Sequence, residues 1–277
     1  MLVSFSLLLR PFFSLSLLVL ACAAPAAAQR LPAVEADHYA RCMDETRRNP
    51  GAAWDDALAW RDAGGGHPAE HCAAVALIGL KQYDEAGKRL EKLADEMFKA
   101  PPELRAQVIG QAAQARLLGG DPTRAVELLT QALAITPQDR DLMTDRAEAY
   151  AAGGKYREAI GDLDKALAAD PRRIDALVFR AAAYRALQQL DPALRDAEAA
   201  LRLAPDDPDA LLERGNIRRL KGDNAGARQD WLRIVQVAPN TPADEAAKTN
   251  LEKLDVQPDA APTTPPVGKK PAPKKAP

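Results

Sequence analysis

The sequence predicts an all-α solenoid, an array of stacked helix pairs, and three observations carry that prediction. Pro137, Pro171, Pro205 and Pro239 stand 34 residues apart. Small residues recur in register with them. Apolar residues within each half-unit follow helical spacing and do not alternate as strand residues would. A fixed period of this length marks a repeat architecture, in which each unit buries its apolar face against its neighbours.

The prolines divide the middle of the chain into Ala106–Asp139, Arg140–Arg173, Ile174–Asp207 and Pro208–Thr241. The eighth place of each unit reads Ala113, Ala147, Ala181 and Gly215. The twentieth reads Ala125, Ala159, Ala193 and Ala227, and the twenty-seventh Ala132, Ala166, Ala200 and Ile234. Two antiparallel helices approach closely only where side chains are small, so these places mark the crossing. Leu163, Leu167, Leu177 and Leu201 fill the space around it. Tyr150 and Tyr184 share the eleventh place.

Punctuation agrees with this division. Gly120, Gly154 and Gly222 fall between the two helices of a unit, where a left-handed residue ends a helix. Gln188 takes that place in the third unit. Asp121-Pro122, Asp191-Pro192 and Asp207-Pro208 each read as an N-cap followed by proline at the first helical position. This pattern resembles the tetratricopeptide repeat, whose unit is a helix–turn–helix of the same length. The resemblance covers Ala106–Thr241 and implies a right-handed superhelical solenoid that binds other proteins.

The flanks follow the period less closely. His67–Arg105 reads as a longer unit, with Ala74 and Ala86 at the eighth and twentieth places. Glu35–Arg48 and Ala52–Ala63 read as a helix pair, divided by Asn49-Pro50 and ended by three glycines. Thr241-Pro242 opens a capping helix to about Leu254, with Asp244, Glu245, Lys248 and Lys253 on its exposed face.

Residues 1–28 read as a secretory signal: a single charge at Arg10, an apolar run from Phe12 to Ala23, and three alanines before Gln29. The run is short for a membrane span. Lipid attachment at Cys22 is the alternative, since Val19-Leu20-Ala21-Cys22 approximates that signal. Bacterial periplasm is the expected compartment. From Val256 the composition turns to proline, alanine, lysine and threonine, which cannot bury a core. The expected organisation is therefore a signal over 1–28, a helical pair or cap over 29–66, the array with its capping helix over 67–254, and a basic tail over 255–277.

Outside the signal, the cysteines are Cys42 and Cys72. An even count in an oxidising compartment reads as a disulfide. A mixed zinc site with His38, His67 and His71 is the rival reading, because His38 and Cys42 are spaced i,i+4, as are His67 and His71.

No catalytic constellation stands out. Gly64-Gly65-Gly66-His67 lacks the lysine and preceding strand of a phosphate loop. Every serine lies in the first 16 residues, inside the signal, which removes serine nucleophiles from a processed chain. No cofactor and no metal is expected, and the chain reads as a non-enzyme. The formal net charge is −2 and the tail's four lysines leave the remainder more acidic, which disfavours nucleic acid.

Two charge patterns are regular. Arg146, Arg180 and Arg214 hold the seventh place and Asp162, Asp196 and Asp230 the twenty-third, which predicts a structural ladder. The resemblance to tetratricopeptide arrays implies that the first helix of each unit lines a concave binding face. The residues at those places are Gln107, Gln111, Asp141, Asp145, Glu148, Asp175, Phe179, Asp209, Glu213, Asn216 and Arg219. The family's lysine–asparagine carboxylate clamp is absent from these places, so the expected partner is a basic or mixed protein segment.

Overall fold

The computed structural model describes residues 33–256, and the signal at 1–28, Cys22 and nearly all of the basic tail lie outside them. Thirteen helices account for the described residues, without a strand among them. They form antiparallel pairs in chain order: α1 (Ala33–Arg48) with α2 (Pro50–Asp62), α3 (Gly66–Gly79) with α4 (Tyr83–Glu96), and α5 (Pro102–Leu118) with α6 (Pro122–Ile135). The series continues with α7 (Arg140–Ala152) and α8 (Tyr156–Ala169), α9 (Ile174–Ala186) and α10 (Leu190–Leu203), and α11 (Pro208–Leu220) and α12 (Asn224–Val237). A single helix, α13 (Pro242–Val256), closes the series.

The small-residue places lie where the sequence reading put them. Ala113, Ala125, Ala132, Ala159, Ala166, Ala181, Ala193, Ala200, Ala227 and Ile234 are fully enclosed. Gly215 has a further reason to lack a side chain. A Cβ there would stand 2.5 Å from Trp231 Nε1. The facing place holds Leu129, Leu163 and Ala197 in the other units, so the indole of the last unit occupies the room that the missing methyl leaves.

The turns repeat as well. Gly120, Gly154 and Gly222 have φ of 82°, 73° and 86°. Gln188 is held at φ 59° at the equivalent place, and Lys81 at 60° in the unit built from α3 and α4. The second helices therefore start 34 residues apart, at Pro122, Tyr156, Leu190 and Asn224. This corrects one expectation. Asp191 is not an N-cap, because Gln189 holds that position and Pro192 sits at the third residue of α10. Backbone N–H groups in a first turn have no intrahelical partner, so proline is tolerated there too. Asp121 and Asp207 do cap their helices, accepting from the backbone N–H of Arg124 and Ala210.

The arginine–aspartate ladder forms inside each of the three units from Arg140 to Thr241. Arg146 donates through two nitrogens to Asp162 at 2.7 and 2.9 Å. Arg180 does the same to Asp196, and Arg214 to Asp230. The aspartates are buried between the paired helices. A third arginine nitrogen reaches back to the preceding unit in two cases, Arg146 to Thr130 and Arg180 to Asp164. Two carboxylates on Arg180 raise its pKa above the already high arginine range, Asp196 first.

The closing helix continues the 34-residue register as a first helix without a second. Pro242 stands where Pro208 does, and Lys248 where the ladder arginines do. With no following aspartate to meet, Lys248 pairs at 2.8 Å with Asp244 in its own helix. Asp244 was expected on the exposed face but is buried, because it also accepts from the Asn240 N–H and ties down the entry to α13.

Candidate functional site

Successive first helices, α5, α7, α9, α11 and α13, touch one another, while successive second helices form no comparable contacts among the described residues. The array therefore curves with its first helices on the inside. A cleft of about 720 Å³ opens on that inner side across α7, α9, α11 and α13.

Five of the expected residues line it: Glu148, Phe179, Glu213, Asn216 and Arg219. Phe179 is half-buried on a floor that includes Val178, Ala182 and Leu212. Asp145 and Asp141 lie one and two turns before Glu148 on the same stripe of α7. Asp175 and Asp209 precede Phe179 and Glu213 by four residues on α9 and α11. Helix geometry thus places all four along the N-terminal edge of the cleft.

The carboxylates are not a bare acidic strip. Arg173 donates to Asp141 at 2.6 Å and to Asp175 at 2.8 Å. The two carboxylates hold its guanidinium well above the ordinary arginine range despite burial that opposes the charge. Glu213 is buried with Arg185 donating to both its oxygens. The arginine supplies two parallel donors that a buried carboxylate needs.

Gln107 and Gln111 fall outside the cleft. Gln107 is exposed on α5. Gln111 Oε1 accepts at 2.5 Å from His71 Nε2, and His71 Nδ1 faces the Tyr39 hydroxyl at 2.8 Å. This chain of polar groups links α1, α3 and α5. Burial lowers the His71 pKa, partly opposed by Gln111, and pushes Tyr39 up to about 12. Gln111 is therefore a packing residue.

Four residues of the zinc reading, Cys42, Cys72, His38 and His71, are turned to other partners. Cys42 and Cys72 face each other with Sγ atoms 1.94 Å apart. His38 stacks on Trp60 and meets Asp56, and His71 is committed to Tyr39 and Gln111. Among the described residues no three His, Cys, Asp or Glu side chains converge as cation ligands would.

Extending the 34-residue period beyond Thr241 puts Lys253 at the same place as Arg185 and Arg219, and Asn250 at the same place as Asn216. All of them line the cleft, and Asn250 donates to Asn216 at 3.0 Å. The sequence signal for these residues is the 34-residue period itself, carried into α13.

Family models described as tetratricopeptide repeat match residues 116–177 and 180–245. The chain is a tetratricopeptide repeat protein. Its solved neighbours include a thermophilic tetratricopeptide repeat protein of Thermus thermophilus, 21% identical, with a TM-score of 0.57 over 69% of this chain and 100% of that one. MamA from Desulfovibrio magneticus RS-1 is 18% identical, with a TM-score of 0.52 over 65% of this chain and 94% of that one. At this identity the likeness is one of fold. No curated protein matches this tetratricopeptide chain.

Proposed function

We propose that this tetratricopeptide repeat protein is a non-enzymatic scaffold that holds a protein or peptide segment in the cleft across α7, α9, α11 and α13. The observation that carries the reading is the cleft itself. It has an apolar floor at Phe179 and Leu212, charged edges, and no arrangement of a nucleophile with a base among its lining residues. A groove of this shape suits an extended segment that buries apolar side chains on the floor and pairs its charges at the edges. A mixed or basic segment fits better than a uniformly acidic one, because Asp141, Asp175 and Asp209 repeat along one edge and Arg173, paired with the first two, offsets only part of their charge.

The second part of the proposal concerns compartment. The apolar leader with its alanine cleavage site supports export to the periplasm, and the facing cysteines on α1 and α3 support a Cys42–Cys72 disulfide there. Retention at the envelope through Cys22 is the alternative, and fractionation separates them. A soluble periplasmic pool is expected, and sedimentation with membranes selects the tethered form.

The binding reading is tested by placing a photo-crosslinking amino acid at Phe179 and, separately, at Leu232, an exposed residue on α12. Adducts to one defined protein from Phe179 and not from Leu232 are expected. Asp141→Lys with Asp209→Lys should weaken that capture at least tenfold, the equivalent of about 1.4 kcal/mol. Equal adducts from both positions would end the reading.

A further inference from the structure

The cleft is segregated by charge across its width. Asp141, Asp175 and Asp209 occupy the second place of successive first helices. Arg185, Arg219 and Lys253 occupy the twelfth place of α9, α11 and α13. Ten residues at 1.5 Å rise set these edges ~15 Å apart. Each edge matches the sign its helix ends favour. Arg185 is spent on Glu213, but Arg219 and Lys253 make no side-chain hydrogen bond or ion pair in the described structure. The unspent positive charge therefore lies beside the end of α13.

The chain's last segment leaves from that same point. Residues 257–277 follow directly on α13 and carry charge in a matching order: Asp259 close to the helix end, then Lys269, Lys270, Lys274 and Lys275. Prolines 262, 265 and 266 lie between. A proline-rich chain spans ~3.1 Å per residue, so a stretch as long as that from Val256 to Lys269 can cover ~40 Å. Three first-helix steps from α13 to α7, at ~8–10 Å each, cover ~30 Å. The length suffices to set Asp259 by Arg219 and Lys253, lay the prolines over Phe179 and Leu212, and bring the lysines to the aspartate edge.

We propose that residues 257–277 occupy the cleft of their own chain as an intramolecular competitor that an incoming segment must displace. This rests on the cleft being the binding site. It adds a regulator, since a tethered occupant acts at an effective concentration on the order of 1 mM.

The test uses a synthetic peptide of residues 257–277, labelled at its N-terminus, and three proteins: the full chain, the chain ending at Val256, and the full chain with all four tail lysines changed to glutamate. Fluorescence anisotropy should show the peptide binding the shortened chain. For an isolated Kd of about 100 μM, the full chain should bind it about tenfold more weakly, because its own tail competes. The lysine-to-glutamate chain should bind like the shortened one. A peptide of scrambled order should bind at least fivefold less, and binding equal to the native order would reduce the contact to diffuse charge attraction and overturn the proposal.

Equal affinity of the full and shortened chains, or no peptide binding, also overturns it. If Phe179 still captures one defined protein in that case, the tail inference alone has failed. If it captures none, the cleft reading has failed with it. A full-chain mass that doubles with concentration, and is lost on shortening, would give the cleft to the tail of a second copy and overturn the intramolecular form.

Discussion

The two ends of this array solve one packing problem by different means. From α5 to α12 the units are held by repetition: alanines at the crossing, an arginine–aspartate pair within each of the last three units, and a left-handed residue at each turn. The first pairs, α1 to α4, use individual devices instead. Cys42 faces Cys72, His38 stacks on Trp60, Arg89 lies over Trp54, and Tyr39, His71 and Gln111 form one polar chain. A repeated unit can rely on its neighbours on both sides. A terminal pair has one neighbour only, and its small core of Cys42, Ala57, Cys72 and Ala73 needs added constraints.

The largest expected effect tests that difference directly. The proposed Cys42–Cys72 disulfide would span a sequence separation of 30 residues. On the chain-entropy model, closing a loop of that length stabilises by ~3–4 kcal/mol. Cys42→Ser with Cys72→Ser should therefore uncouple melting of α1–α4 from the rest. Hydrogen exchange should show lost protection on those helices with α7–α12 unchanged. A uniform loss along the array would mean that the terminal pair and the repeats form one cooperative unit.

The ladder comes next. Arg180→Ala removes the partner of a buried carboxylate and the stitch to Asp164 in the preceding unit. The arginine keeps partial access to solvent, so the cost lies between ~1 kcal/mol for a surface pair and ~3–5 kcal/mol for a fully buried one. Arg180→Ala with Asp196→Ala should recover part of the loss, because it leaves no uncompensated buried charge. Thermal melts of both variants decide this, and a double variant no better than the single one would show that the ladder acts through packing alone.

The terminal pair should also be the pH-sensitive part. Burial is the main cause of the lowered His71 pKa, and Gln111 opposes it. A depressed histidine favours the neutral form in the folded state, so its contribution is complete above the ordinary value of 6.5 and is lost as pH falls through the folded value. Stability should decline below about pH 6.5 by up to ~1.4 kcal/mol per pH unit. Tyr39, pushed up to about 12, stays neutral throughout that range. His71→Gln should flatten the profile between pH 7 and pH 5, and an unchanged slope would assign the decline to carboxylates elsewhere.

These contrasts explain what was legible in the sequence. Periodic features announce themselves three or four times over, so the units, their turns and the Arg–Asp ladder could be read from residue types and spacing. Single-copy features have no such redundancy. Nothing in the sequence separates Gln111 as a partner of His71 from Gln107 as an exposed residue one turn earlier. Glu213 and Asp141 both read as groove carboxylates, but only coordinates show Arg185 and Arg173 reaching them from neighbouring elements. Long arginine side chains choose partners by reach, which spacing within one helix does not reveal. The Gly215–Trp231 exchange was visible as two deviations in one unit, a glycine for alanine and an indole for leucine or alanine. Only their contact shows that the two deviations are one event.

The smallest expected effect concerns a turn between Pro102 and Val237 that lacks the usual glycine. Equivalent turns use Gly120, Gly154 and Gly222, and the third unit places Gln188 there at φ 59°. A left-handed residue with a Cβ costs roughly 1–2 kcal/mol relative to the right-handed region. Glycine removes that strain but gives the unfolded chain more freedom, which returns part of the gain. Gln188→Gly should thus stabilise by ~0.5–1 kcal/mol. Gly154→Gln should destabilise by a similar amount, since no atom lies within 4 Å of a Cβ at Gly154 and the penalty there is conformational alone. Paired denaturant titrations of the two variants check this. Opposite shifts in midpoint with unchanged slopes are expected. Loss of stability in both variants would mean that the Gln188 side chain contributes contacts that outweigh its strain, and that the third turn is a distinct element of this array.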